Sequence, residues 1–408
     1  MDQTWETVEE PARQVPVVED VDVLVAGSGP SGLAAALAAA RQGAKTVLVE
    51  RYGYLGGMIT GAHVVAIIGA GDGRKPLARG ITLEIRERLE KLGAVKPMRC
   101  GDYRVDAEVF KWQVVEMLQE AGVRIRLHTM ACMPIMDDGA VSGVFVESKS
   151  GRQAIRACVT MDATADADLA FRAGCGCDNE THEVTLGIRI EGIDRKRIDA
   201  FASGNPNAYE AAVQEATRLN GGVMLGETRL LKGIDVADAM DLTEAEIRLR
   251  EECFNALFYL KAAVPGYEDA HVADTYPQIG VRQGRRIHGV YKLVNDDLKN
   301  SRHFGDGIAR LGVYFPDWGP NYAIEGLHYD VPYRCLVPKK VDGLLVAGRC
   351  ISSDYKACNA MRLIVPCFAT GQGAGCAAAL AAKERCAPRE VAIEPLRAAL
   401  VRQDVYLG

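Results

Sequence analysis

Apolar and polar positions along this chain fall into blocks whose period switches. Val21, Val23, Leu24, Val25 and Ala26 make a short apolar run of the kind a buried parallel strand needs. Leu33 to Gln42 is almost all alanine and leucine and predicts a helix closed by Gly43; Thr46 to Val49 predicts a second apolar strand. Ile81, Ile85, Leu89 and Leu92 recur at helical spacing up to Gly93, and Asp106 to Ala121 repeats that pattern with Gly122 as its stop. Val123 to Leu127 reads as a strand. Val141 to Glu147 and Gln153 to Thr160 read as a strand pair around Lys149-Ser150-Gly151, and Val159 to Asp166 as a strand ending in a small-residue turn.

From about Thr181 to Tyr333 the pattern changes. Strand-like Val184 to Ile190 gives way to charged helical stretches at Asp194 to Ala202 and Leu242 to Lys261. Ile287, Gly289, Tyr291 and Leu293 share one strand face, while Arg286, His288 and Lys292 point the other way. Gly343 to Arg349 then returns to a buried strand and glycine turn, and Pro366 to Lys383 predicts a closing helix.

The 408 residues suffice for two domains, or for one domain with a large insertion. A hydrophobic share of 48%, a charged share of 25% and a net charge of -6 describe an ordinary globular chain and argue against a nucleic-acid surface. The sequence reads as lacking a membrane-spanning stretch, the nearest being Pro366 to Ala382, and MDQTWETVEEPARQ lacks an apolar signal core. A cytoplasmic location is therefore expected. Among the 12 cysteines there is no C-x-x-C pair, only Cys175-x-Cys177. Cys350, Cys358, Cys367 and Cys376 are too widely spread for a compact metal cluster, so buried free thiols and no metal site are expected.

The first helix is preceded by Gly27-Ser28-Gly29-Pro30-Ser31-Gly32, which spells G-x-G-x-x-G. Gly27 permits the tight turn, Gly29 lets a pyrophosphate approach the backbone, and Gly32 lets helix pack on strand. The free N–H groups and dipole of the helix start stabilise phosphate. Glu50, at the tip of the second strand, suits hydrogen bonding to ribose hydroxyls. Downstream, Arg51-Tyr52-Gly53-Tyr54-Leu55-Gly56-Gly57-Met58 resembles the extended fingerprint of glutathione-reductase-like flavoproteins, whose glycines let the chain pass close to FAD. The alternative for this stretch is a glycine-rich surface turn.

Beyond these motifs, Asp162 to Leu169, Arg282 to Ile287, Val331 to Arg349 and Ala369-Thr370-Gly371-Gln372-Gly373-Ala374-Gly375 complete a pattern running nearly end to end. The chain resembles the bacterial FAD-dependent oxidoreductase family of the glutathione-reductase superfamily. That resemblance implies an α/β fold: a Rossmann-like FAD-binding domain with a parallel sheet, plus an inserted mixed α+β substrate domain. The expected boundaries are a leader at 1–20, the FAD-binding domain at 21–180 and 334–390, the substrate domain at 181–333 and a tail at 391–408. The resemblance further implies that Thr164 and Asp166 lie at the cofactor's pyrophosphate end, and Gly348 and Arg349 by its ribityl chain. Thr370, Gly371 and Gln372 would start a helix aimed at the flavin pyrimidine edge. A helix packed closely on the sheet also needs small residues over Ala369 to Gly375, and both readings can hold together. Relatives often carry a histidine at Tyr355, and another after Asp317 in Asp317-Trp318-Gly319; this chain departs from both.

Flavin chemistry calls for a proton-handling group near the reacting atoms. Tyr355, Arg334, His63, His328 and Arg286 are the leading candidates, with His288 and Tyr329 behind them. Tyr355 stands out because it follows the Gly348-Arg349 turn; as a base it would need a cation such as Arg334 or Arg362 nearby. Arg282, Arg285 and Arg286 either anchor a substrate carboxylate or form a solvated, ion-paired cluster. No second G-x-G-x-x-G follows a strand, so a nicotinamide domain is not expected. The expected activity is oxidation of a small polar, carboxylated metabolite by FAD, with oxygen or a separate acceptor taking the electrons. The alternatives are a flavin-dependent reductase or hydroxylase using an external reductant and, further off, a flavin-carrying RNA-modification factor. No nucleic-acid or membrane partner is expected, and a homo-oligomer is compatible with the sequence.

Overall fold

A computed structural model describes residues 6–98, 101–180, 182–220, 231–314 and 325–408. Its centre is a seven-stranded sheet: β1 (Val17–Ala26), β2 (Thr46–Val49), β3 (Arg124–Arg126), β4 (Thr129–Asp137), β5 (Ala140–Ser148), β6 (Gly151–Asp162) and β7 (Leu344–Val346). The order is β3-β2-β1-β6-β5-β4, with β7 also pairing β6. β1, β2, β3 and β7 enter parallel pairings, whereas β4, β5 and the first half of β6 form an antiparallel meander. β6 is long enough to serve both: Arg156 faces Gly143 of β5, and Asp162 faces Val346 of β7.

Register puts four strand ends in one row. Ala26 lies opposite both Val49 and Asp162, and Asp162 opposite Val346. Loops leaving this carboxyl edge are where an open α/β sheet binds ligands. The fold matches the expected α/β class. Its strands read as continuous apolar runs because both faces are covered: all of β2 is buried, as are Pro30 to Ala39 of the first helix.

The described helices are α1 (Pro30–Arg41), α2 (Met58–Gly61), α3 (Ile81–Lys91), α4 (Ala107–Glu120), α5 (Asp168–Arg172), α6 (Arg195–Gly204), α7 (Pro206–Asn220), α8 (Ala239–Ala263), α9 (Asn295–Lys299), α10 (Tyr355–Met361), α11 (Ile364–Glu384) and α12 (Ile393–Arg402). α1 and α11 cross at backbone contact distance, because a Cβ on Gly371 would overlap the Ser31 carbonyl and one on Gly375 the Ala35 carbonyl. Small residues are what allow that approach.

Three expectations change. Residues 17–20, placed in the leader with an extended piece over Val15 to Val18 along the first strand, are part of β1 itself, with Val17 opposite Ala154. The residues after 390 form α12, and Gln403 beyond it donates to the Ala38 carbonyl of α1 at 3.0 Å, so this stretch is docked rather than trailing. α11, read as too polar to span a membrane, does pass by length and composition, but 89% of its best window is buried inside the protein. Its apolarity is that of a core helix.

Between α5 and β7 the chain builds small sheets of its own. His182–Thr185 pairs with both Leu231–Ile234 and Gly280–Val281, and Ile188–Glu191 pairs with His271–Thr275. Asp194 and Asp238 cap α6 and α8 with their carboxylates. Two separate apolar clusters hold this region, one around Val184, Leu249 and Ile279, the other around Ile198, Leu257 and Tyr267.

Candidate active site

The G-x-G-x-x-G turn leaves β1 at the carboxyl edge, and α1 begins with no side chain capping it. Its first N–H groups therefore face an anion site. A Cβ on Gly29 would meet no protein atom within 4 Å, so the space beside it is open. By contrast, a Cβ on Gly27 would overlap the Ala163 carbonyl, and one on Gly32 the Gly27 carbonyl. Pro30 and Ser31 form the first turn and are buried. Glu50 is buried with its carboxylate turned to the turn: Ser28 donates to Oε2 from its N–H at 2.9 Å and its hydroxyl at 2.6 Å, and the Tyr52 N–H donates to Oε1 at 3.0 Å. A carboxylate offers about four acceptor positions, so capacity remains for a ribose hydroxyl.

The second glycine pair closes on the first. Gly56 N–H donates to the Ser28 carbonyl at 3.0 Å. Gly57 has φ 53°, and a Cβ there would come within 2.6 Å of the Gly29 Cα. This stretch is therefore no surface turn. Met58 opens α2, and Arg51 lies exposed with its guanidinium 4.8 Å from the Tyr52 ring centre. An open cradle at an uncapped helix start, with an acid at its side, fits the ADP half of FAD.

Two further loops reach the same edge. After β6, Thr164 binds Asp162 Oδ1 through its N–H at 3.0 Å and its hydroxyl at 2.6 Å, while Ala165 and Ala167 hold φ of 77° and 53°. That conformation, uncommon for alanine, presents Asp166 to the Arg349 guanidinium, whose Nη2 lies 2.7 and 2.8 Å from the two carboxylate oxygens. Arg349 Nη1 is buried and has no partner among the described residues. Gly348 N–H donates to Thr370 Oγ1 at 3.2 Å.

Here one expectation fails. Thr370, Gly371 and Gln372 do not start a helix; α11 begins at Ile364, and these residues lie buried in its interior. Pro366 sits in the first turn, where proline is tolerated, so it does not mark the start. Gly371 serves the crossing with α1, and Gln372 faces away, accepting from Ile81 N–H at 3.2 Å and donating to the Gln403 carbonyl at 3.2 Å. The uncapped start of α11 is at Leu363, next to Arg362.

The segment from Tyr276 to Arg286 runs across this edge like a strap. At one end the Tyr276 ring stacks on His63 at 4.3 Å, and Gln278 N–H donates to the Gly61 carbonyl at 3.0 Å. In the middle Gly280 and Val281 pair with Thr185 and Val184. At the other end Gly284 lies directly against the Asp166 carboxylate, where a Cβ would overlap Oδ1. Gln283, fully buried, donates to Asn359 Oδ1 at 2.9 Å and to the Tyr355 carbonyl at 3.3 Å.

The catalytic candidates separate accordingly. His63 follows α2 with φ 46°; burial holds its ring below the ordinary value, with Asp274 opposing. Tyr355 is the first residue of α10, 42% exposed, and burial followed by Glu183 and Glu180 pushes its phenol up, Arg362 opposing. A base with a lowered pKa is therefore not what this environment makes of it. Arg286 is buried, donating to the Ser353 carbonyl at 3.2 Å and Gln283 Oε1 at 3.2 Å, with Glu180 at 3.2 Å. It braces the site. Arg334 leaves the group, being paired with Asp306 at 2.8 Å beside the Tyr291 ring. Its turn begins after Pro332, so the chain carries it off toward that acid. His328 also lies apart, with Nδ1 3.0 Å from the Gly326 carbonyl and its ring near His303. His288 pairs with Asp178 at 3.0 Å, Tyr329 is buried with its hydroxyl on the Val313 carbonyl, and Arg285 is held by Asp168 at 3.1 Å. Asp317-Trp318-Gly319 lies outside the described residues. Cys350, Cys358, Cys367 and Cys376 are buried free thiols, and burial pushes those of Cys367 and Cys376 up to about 12.

Asn359 and Glu183 carried no motif and were missed, and Gln283 stood in the Arg282 to Ile287 stretch without being singled out. Nothing in their spacing marks them; they meet only because the strap crosses α10.

A parallel sheet whose carboxyl edge carries this cradle, with an acid closing β2 and a second glycine loop packed on the first, defines an FAD-binding oxidoreductase. The chain belongs to the FAD dependent oxidoreductase family, whose model matches residues 22–400. Among curated proteins it is similar to a digeranylgeranylglycerophospholipid reductase of Methanospirillum hungatei, 31% identical over 45% of this chain and 48% of that one. It is also similar to a thiamine thiazole synthase of Aeropyrum pernix, 34% identical over 31% of this chain and 43% of that one. The chain thus spans under half the length of these two relatives. Among solved structures, a flavin-dependent brominase aligns over 94% of this chain and 84% of its own at 13% identity and a TM-score of 0.50, a likeness of fold.

Proposed function

We propose that this enzyme is a dehydrogenase or oxidase that takes a hydride from a small polar, carboxylate-bearing metabolite, with oxygen or a separate acceptor completing the cycle. The observation that carries the reading is the strap. It joins a neutral-leaning histidine at one end to a group of buried cations at the other, across the edge where the cofactor cradle opens. Bound FAD supplies a two-electron acceptor. The chain's own residues bind, orient and handle the proton. Gly27 to Gly32 and the start of α1 take the pyrophosphate, Glu50 takes ribose, and Gly56 and Gly57 let the cofactor pass close to the backbone. His63, kept unprotonated by burial, accepts the substrate proton, and Tyr355, kept protonated, donates a hydrogen bond. We also place the chain in the glutathione-reductase-like superfamily, on its two-glycine-loop cradle.

Anaerobic mixing of the yellow protein with a panel of small hydroxy and amino acids tests the reading, with bleaching of the flavin by one class as the expected result. NADH and NADPH should reduce it far more slowly than about 10 per second, a common turnover rate. Reduction by either at that rate would favour the second reading, a reductase fed by an external donor, which the reductase names of several relatives support.

A further inference from the structure

At the Tyr276 end of the strap three layers lie one on another: the backbone of Gly187, the ring of Tyr276 and the imidazole of His63. The two rings are 4.3 Å apart and inclined by 27°. A Cβ on Gly187 would overlap carbons of the Tyr276 ring, so the ring sits where a side chain at 187 would be. Tyr276 is fixed by its own backbone. Its N–H donates to the Gly187 carbonyl at 3.0 Å, and its carbonyl accepts from Arg250 Nη2 of α8 at 3.4 Å. Three residues on, Ile279 N–H donates to Glu246 Oε1 of the same helix at 2.8 Å. His63 is fixed from the other side. It holds φ 46°, and the N–H groups of its neighbours Ala62 and Val64 both donate to the Met58 carbonyl, at 3.3 and 3.0 Å. Both residues are half-buried, so the stack covers the imidazole without sealing it off.

We propose that Tyr276 is a positioning residue: seated on Gly187, its ring holds the His63 imidazole in one orientation and shields one of its faces from water, an assignment that rests on the proton-accepting role given to His63 above. A group that takes a proton must present one nitrogen in one direction, and a misplacement of about 1 Å can cost on the order of a hundredfold in rate. Near-parallel ring contact restrains the imidazole in that way, because tilting or turning it breaks the stack. Charges face His63 from two sides. Asp274 and Arg189, paired with each other at 2.7 Å, stand on the paired strands His271–Thr275 and Ile188–Glu191, and Glu108 and Lys111 stand in the first turn of α4. Burial outweighs them and keeps the ring below its ordinary 6.5. Uncovering one face should therefore let it rise toward that value.

The experiment follows the histidine ring protons of the FAD-loaded protein by NMR across pH, with the His63 signal identified by its loss in His63→Gln. In the native protein that signal is expected to carry the ring-current displacement of a stacked imidazole and to titrate below 6.5. Tyr276→Ala is expected to abolish the displacement and move the titration up toward 6.5, with FAD occupancy unchanged. Tyr276→Phe, which keeps the ring, is expected to behave as native. Gly187→Ala leaves Tyr276 in place but pushes its ring away, and is expected to resemble Tyr276→Ala; it decides the matter if Tyr276→Ala does not fold. With an acid of the panel that bleaches the flavin, Tyr276→Ala is expected to slow bleaching by roughly tenfold to a hundredfold and to shift the acid limb of its pH profile upward. An unchanged His63 signal in Tyr276→Ala and Gly187→Ala overturns the assignment, and so does a loss in Tyr276→Phe equal to that in Tyr276→Ala. Slowed bleaching in His63→Gln with native bleaching in Tyr276→Ala would keep His63 as the acceptor and remove Tyr276 from its support. The expected NMR changes with native bleaching in His63→Gln would do the reverse, leaving the stack and sinking the role given to His63.

Discussion

The phosphate cradle and the strap from Tyr276 to Arg286 meet the same edge of one sheet and are built by opposite means. In the cradle, residues 27–32 and 50–57 meet through backbone: Gly57 against Gly29, Gly32 against Gly27, the Ser28 carbonyl on Gly56 N–H. Its only charged side chain with a central role is Glu50, and three donors already orient it. At the strap the contacts are between side chains, Gln283 on Asn359, Arg286 on Gln283 and Arg349 on Asp166, and Arg286 and Arg349 are buried. Close backbone approach tolerates no added atom, whereas a group of long polar side chains tolerates rearrangement. The cradle should therefore fail abruptly under substitution, and the strap's network by degrees.

The largest effect is expected within the cradle itself. Gly32→Val would drive a side chain into the Gly27 carbonyl and should destabilise the fold by about 3 kcal/mol or more. A urea melt showing an unchanged midpoint would mean the turn is looser than described. Gly29→Val is the telling contrast. Its Cβ meets nothing in the protein within 4 Å, and its φ of -64° is ordinary for any residue. It should fold with a near-normal midpoint yet bind FAD at least about a hundredfold more weakly, as lost hydrogen bonds to a charged pyrophosphate imply. Full FAD occupancy in that protein would remove the cradle's assigned role.

Smaller effects belong to the strap side. Tyr355→Phe removes a donor from a phenol that stays protonated, so flavin reduction by substrate should slow by about tenfold or less, the worth of one neutral hydrogen bond. A drop of several hundredfold would restore Tyr355 as the acid–base group. The smallest effect concerns His63. Its folded pKa lies below the ordinary 6.5, so it contributes stability present above that value and lost as pH falls through the folded one. Melting temperature should therefore decline on acidification below about 6.5 more steeply in the native protein than in His63→Gln, if the two are followed side by side. Coincident profiles would show that burial does not govern this ring.

The sequence by itself determined the cradle: strand, glycines, helix, strand and terminal acid are neighbours along the chain, and local conformation is enough to assemble them. It also determined the class of fold, since apolar runs of period-free character need a parallel sheet covered on both faces, while FAD came from the resemblance of Arg51 to Met58 to the flavoprotein fingerprint. Where it misled, a local signal stood for something tertiary. The resemblance put a helix start at Thr370 to Gln372, whereas these residues lie inside α11, and Gly371 and Gly375 form its crossing face for α1. Arg334 read as a catalytic neighbour of Tyr355 and was carried off to Asp306. Only the tertiary structure decided the side-chain network under the strap. Arg282, Arg349, Asn359 and Glu183 come from segments far apart in the chain, and no spacing rule joins them. Their meeting depends on β7 pairing with the last residues of β6 and on the strap crossing above, long-range contacts whose partners the chain order does not encode.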